Sequence, residues 1–198
     1  MLPSRQKNMS EDLLKKVPLD LSELIEGSKK HFANEARING EVETPESFKD
    51  MVFGILEQFF DLKYVGKPIL RKKPTENTGR YDSSYIHSDV WSGNSPGKII
   101  MFPICGDFEA GGVEFFRPTK NLDILNVEYN DYRDVPDFGP EYIGKMEEGY
   151  MHIVSTSCLH RTMKGGTRYS VDIRLADRLM QNFLKPRYQN YRLWEGRN

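Results

Sequence analysis

The chain has 198 residues, 28 Lys+Arg against 29 Asp+Glu, a formal net charge of -1 and 12% aromatic residues. The length suits one domain able to bury a core unaided; the aromatic share argues against intrinsic disorder, and the balanced charge offers no electrostatic case for a nucleic-acid or anionic-membrane partner. Cys105 and Cys158 cannot form a disulfide framework or a CxxC zinc knuckle, no apolar run approaches bilayer length, and residues 1–18 lack the apolar stretch of a secretory signal, so the expectation is a cytoplasmic single-domain protein.

Residues 1–65 read as mainly helical. Asp20 can cap a segment in which Leu21, Leu24, Ile25, Ser28 and Phe32 share one stripe. Thr44, as N-cap, and Pro45, at the first helical position, open a second helix with Phe48, Val52, Ile55, Leu56 and Phe59 along one face. From about residue 80 the period shortens. Segments 81–90, 98–104, 112–118, 149–157 and 168–176 are short runs of β-branched and aromatic residues, which predict strands. The stretches SGNSPG (92–97), CGDFEAGG (105–112) and KGG (164–166) are turn chemistry. Residues 119–148, polar and rich in Asp, read as an irregular insertion. The tail 177–198 carries Phe183, Tyr188, Tyr191 and Trp194, a docking surface for the body or for a second subunit, which allows a homodimer. The fold expected is one domain over 1–198: helical support at 1–65, then a mainly β core at 80–176 forming a jelly roll backed by helices.

Of four histidines, His31 falls in the helical segment and reads as packing or surface, and His152 as a core or surface residue of its strand. His87 stands two residues before Asp89, so at a strand end both side chains project to one side. His160 follows some seventy residues later. Two His and one carboxylate, leaving further positions open, make the facial triad of non-haem Fe(II) chemistry; the HxD alone also fits a capped strand end with a His–Asp hydrogen bond. Eight residues after His160 come Arg168, Tyr169 and Ser170, and a guanidinium fork beside a hydroxyl suits a carboxylate. Gly165 and Gly166 between them read as the turn of a hairpin. A three-residue loop, Gly165-Gly166-Thr167, would set His160 opposite Asp172 and turn His160 and Arg168 to the same face. Tyr85 and Trp91 flank the HxD at even spacing and are candidates to touch cosubstrate and substrate respectively. Asn94 and Lys98 flank a Gly/Pro turn from which they could reach a polar substrate.

With these motifs the chain resembles the Fe(II)/2-oxoglutarate-dependent oxygenases, specifically the phytanoyl-CoA-hydroxylase-like and streptomycin-biosynthesis-like branches. The resemblance covers roughly residues 80–176, in HSDVWSGNSPGKIIMFPI, GGVEFF and LHRTMKGGTRYSVDIR. It implies a cupin-like double-stranded β-helix and Fe(II) ligated by His87, Asp89 and His160. It also implies 2-oxoglutarate anchored through its 5-carboxylate by Arg168 and Ser170, with O2 as oxidant. Arg174 is the alternative anchor, since some relatives carry that arginine later on the strand. By the same resemblance, a carboxylate at Asp89 favours hydroxylation, desaturation or ring closure of a small-molecule substrate over halogenation. Two other classes use parts of the pattern: a cupin-like metal-dependent isomerase or hydrolase needs the triad but not Arg168, and a jelly-roll binding module needs neither.

Overall fold

In the computed structural model, the described residues are 13–34, 40–62, 65–73, 86–87, 98–118, 140–156 and 158–175. They form nine strands, β1 (Leu14–Pro18), β2 (Glu41–Val42), β3 (Ile69–Lys73), β4 (Lys98–Gly106), β5 (Val113–Pro118), β6 (Pro140–Lys145), β7 (Tyr150–Ser155), β8 (Leu159–Thr162) and β9 (Arg168–Leu175), and three helices, α1 (Ser22–Lys29), α2 (Glu46–Leu56) and α3 (Phe108–Gly111). Every pairing between strands is antiparallel. One sheet runs β1-β7-β4-β9-β3-β2 and a smaller one runs β6-β5-β8.

Alternation along the central strands, broken on β4 by a register shift between Pro103 and Cys105, builds both layers. On β9, Tyr169, Val171, Ile173 and Leu175 turn towards the helices, where Val171 and Ile173 pack with Phe48, Val52 and Leu56 of α2 and Leu24 of α1. On β4, Ile100, Phe102 and Ile104 do the same, while Ile99 and Met101 turn to the other side. A second apolar cluster, with Phe115, Val113, Met146, Val154 and Cys158, lies between the sheets. Each fully buried Leu, Ile or Phe contributes roughly 1.5–3 kcal/mol, so these two layers hold the sheets in place around whatever lies between them.

The structure corrects several expectations. Among the described residues of 1–65, strands accompany the helices α1 and α2: Leu14–Pro18 is an edge strand on β7, with Lys16 opposite His152. Lys16 is buried, and its ammonium is held 2.6 Å from Glu147, which compensates a charge on an inward strand position. β2 and β3 extend the same sheet beyond β9. The second helix begins one residue later than its sequence predicts, with Pro45 itself at the cap in extended conformation and no side-chain cap from Thr44. Asp20 does not cap α1 as expected: the N-cap is Leu21, with no side-chain cap, and Asp20 just before it accepts the Ser22 N–H at 2.9 Å. The end of the supposed irregular insertion, Pro140–Lys145, is strand β6, and CGDFEAGG contains α3, whose N-terminus Asp107 caps by accepting the Ala110 N–H. Residues 119–139 and 176–198 lie outside the described residues. No described helix is long and apolar enough to cross a membrane.

The hairpin expected at residues 160–168 does not exist. β8 pairs with β5 in the small sheet, whereas β9 lies between β4 and β3 in the large one, so Met163–Thr167 is a crossover between sheets. The glycines serve close approach: a Cβ on Gly111 would collide with the carbonyls of Gly165 and Gly166, and Gly166 has φ +52. The crossover is pinned on α3 by Met163 N–H to Gly112 O (2.9 Å) and Asp107 N–H to Thr167 O (3.3 Å).

Candidate active site

Because β8 and β9 belong to opposing sheets, His160 and Arg168 meet across the sandwich, lining one cavity of about 450 Å³ between the layers. β8 is an edge strand. The N–H and C=O of His160 point away from β5, and His87 takes them: His87 N–H donates to His160 O at 2.9 Å and His160 N–H to His87 O at 2.8 Å. Directly opposed residues of an antiparallel bridge project to the same face. The two imidazoles therefore stand together, ring centroids 4.3 Å apart and planes at 53°, in the cavity wall.

His160 Nδ1 lies 3.0 Å from the Cys158 carbonyl. A carbonyl only accepts, so Nδ1 carries a proton, and in the neutral ring Nε2 is then the nitrogen that can ligate. A backbone acceptor behind one ring nitrogen is the usual support for an imidazole whose other nitrogen ligates a metal. Two neutral imidazoles suit a borderline divalent ion such as Fe(II) when a carboxylate completes the set. Among the described residues no group of three His, Cys, Asp or Glu is gathered to hold a metal. The third expected ligand, Asp89, lies outside the described residues, as do Tyr85, Trp91 and Asn94.

Arg168 opens β9 beside the crossover and is 2% exposed. Its Nε donates to the Gly111 carbonyl. It makes no ion pair with a described carboxylate, and burial pushes its pKa down to about 10, with Asp172 opposing the shift. A buried guanidinium that faces a cavity and pairs with no described carboxylate is an anion site in electrostatic terms. Ser170 follows on the same face, also buried, but its hydroxyl donates to Asp172 Oδ1 at 3.0 Å. Asp172 Oδ2 in turn takes Arg71 Nε at 2.8 Å. Arg174 ends the same row; it lines the cavity and is exposed.

Other candidates fall elsewhere. Lys98 sits opposite Leu175 and, by alternation with Ile99, faces the helix layer rather than the cavity, so the structure does not bring it to the site. His152 is wholly buried, its Nε2 accepting the Glu147 N–H at 3.1 Å, and its pKa falls to about 3 through burial and then Lys16. His31 is buried edge-on to Phe48. Cys158 is a core thiol pushed up to about 12 by burial, too high to be a nucleophile. Sequence reasoning missed Arg71, Lys73 and Asp172. Arg71 and Lys73 sit on β3, whose ILRKK is too short and too charged to announce a strand, although Asp172 alternates with Arg168 and Ser170 and was legible as their neighbour.

Fold and site together define an antiparallel β-sandwich whose inter-sheet cavity carries a histidine pair opposite a buried arginine. No protein-family model matches the chain, and no curated protein matches it. Among solved structures the chain is similar to the crystal structure of EvdO2 from Micromonospora carbonacea var. aurantiaca (12% identity, TM-score 0.47) and to that of EvdO2 complexed with 2-oxoglutarate (13%, 0.48), each match covering 94% of this chain and 93% of that chain.

Proposed function

We propose that the protein is an Fe(II)- and 2-oxoglutarate-dependent oxygenase that hydroxylates a small-molecule metabolite. The observation that carries the reading is the pairing of His87 with His160, rings 4.3 Å apart, in the same cavity as the buried Arg168. Metal binding falls to those two imidazoles with Asp89, and the far carboxylate of 2-oxoglutarate to Arg168. Bound Fe(II) supplies activation of O2, with 2-oxoglutarate as the electron source that leaves as succinate and CO2.

The chain's own residues do the rest. The Cys158 carbonyl holds His160 in one tautomer and one orientation, so its Nε2 is committed to the cavity chemistry. The mutual backbone bridge fixes the separation of the two rings by main chain instead of by side-chain packing. Arg168, tied through Nε to Gly111, offers its remaining N–H groups to a carboxylate without reorganising. Phe115, Val113, Ile99 and Met101 wall the cavity and keep water from the reacting carbon.

The test is succinate release from 2-oxoglutarate by the purified protein with Fe(II) and ascorbate under air, across a panel of small metabolites. Succinate formed in step with one oxidised metabolite is the expected result. Metal-dependent turnover of a metabolite that is indifferent to 2-oxoglutarate would replace the reading with an isomerase or hydrolase.

A further inference from the structure

The chain as a whole is balanced in charge, at -1, but its cavity is not. Among the described residues lining it, Lys67, Arg71, Lys73, Arg168 and Arg174 face a single carboxylate, Asp172. That carboxylate is already engaged by Arg71 on one oxygen and Ser170 on the other. Arg174 makes no ion pair with any described residue, and it is exposed where Arg168 is 2% exposed. The two guanidiniums thus mark a closed and an open end of one cavity wall.

They are also far apart. Six residues separate them on β9, about 20 Å of chain at strand rise. The two carboxylates of 2-oxoglutarate lie only about 6 Å from each other, at ordinary carbon–carbon bond lengths. A single dianion held by Arg168 therefore does not reach Arg174, which has no carboxylate partner among the described residues.

We infer that the cavity takes a second anion, and that the primary substrate is a small molecule whose carboxylate or phosphate is seated on Arg174. A guanidinium fork matches either group bidentately, and a concave wall of like sign concentrates such ligands from solution. The inference rests on the oxygenase reading only in naming the first anion 2-oxoglutarate. It also supplies what the composition could not, the sign of the substrate.

Calorimetric titration with inorganic phosphate, and in parallel with malonate, of the protein loaded anaerobically with Fe(II) and 2-oxoglutarate tests it. At least one probe should bind the loaded wild-type protein, telling phosphate from carboxylate recognition. Arg174→Gln should weaken that binding about tenfold or more, Arg174→Lys less, while 2-oxoglutarate affinity changes less than twofold in both. Two results overturn the inference: probes that 2-oxoglutarate displaces competitively from the wild-type protein, meaning one anion site, or full-strength probe binding to Arg174→Gln. The wild-type competition decides even should a variant fold poorly. Arg174-dependent phosphate binding by a protein that ignores 2-oxoglutarate would remove the oxygenase reading and leave the Arg174 site standing.

Discussion

Arg168→Met separates an anion-binding arginine from a structural one. Burial holds the Arg168 guanidinium at a pKa of about 10 against an ordinary 12.5. At about 1.4 kcal/mol per pH unit, keeping that cation in the ligand-free fold costs on the order of 3 kcal/mol at neutral pH, where it is charged both folded and unfolded. Methionine keeps much of the length and apolar contact and removes the charge. It also removes the bond from Nε to the Gly111 carbonyl, a loss of about 1–3 kcal/mol. The ligand-free variant is therefore expected to be as stable as wild type or up to about 2 kcal/mol more stable, a rise of no more than about 8 °C in Tm for a chain of this size. The wild-type protein should gain about 3 kcal/mol from 2-oxoglutarate at a hundred times its Kd, and the variant nothing. Thermal unfolding with and without 2-oxoglutarate reads both quantities. A ligand-free variant destabilised by several kcal/mol, or one still stabilised by 2-oxoglutarate as wild type is, would refute the reasoning.

His152 is neutral in the fold until pH nears about 3, whereas in the unfolded chain it takes a proton near 6.5. Its contribution is complete above about pH 6.5 and drains as pH falls, by about 2 kcal/mol between pH 8 and pH 5; urea unfolding of His152→Leu should show a pH dependence smaller by that amount, and an unchanged one would contradict the burial argument. Gly111→Ala drives a methyl into the Gly165 and Gly166 carbonyls, so the crossover must shift and carry Arg168 with it. The expected result is 2-oxoglutarate affinity down at least tenfold with Fe(II) affinity near wild type; equal losses of both would mean general misfolding instead.

What the sequence revealed depended on whether the physics was local. α2 was legible because Phe48, Val52, Ile55 and Leu56 repeat at the helical period, and β4, β5, β7 and β9 because their apolar residues run between turn residues. β1 was hidden because LKKVP forms a strand only once β7 offers an edge and Glu147 takes Lys16. β6 was hidden because Tyr142, 47% exposed, and its polar neighbours belong to an edge with little to bury. Gly165 and Gly166 announced a reversal, yet a hairpin turn and a sheet-to-sheet crossover call for the same residues; the partner of β8, a non-local fact, decides between them. The sequence reading puts His160 and Arg168 on one face of a hairpin, and the structure has them line one cavity from opposite sheets. Arg71 and Lys73 escaped notice with β3, and with them the positive lining that a net charge of -1 conceals.

The most direct test of the account is an anaerobic spectroscopic titration of the wild-type protein with Fe(II) and then 2-oxoglutarate, repeated with the His87→Ala, His160→Ala double variant. The account predicts one Fe(II) per wild-type chain, a weak visible band that grows only when 2-oxoglutarate joins the metal, and neither in the double variant. Wild-type Fe(II) affinity surviving in the double variant would contradict it.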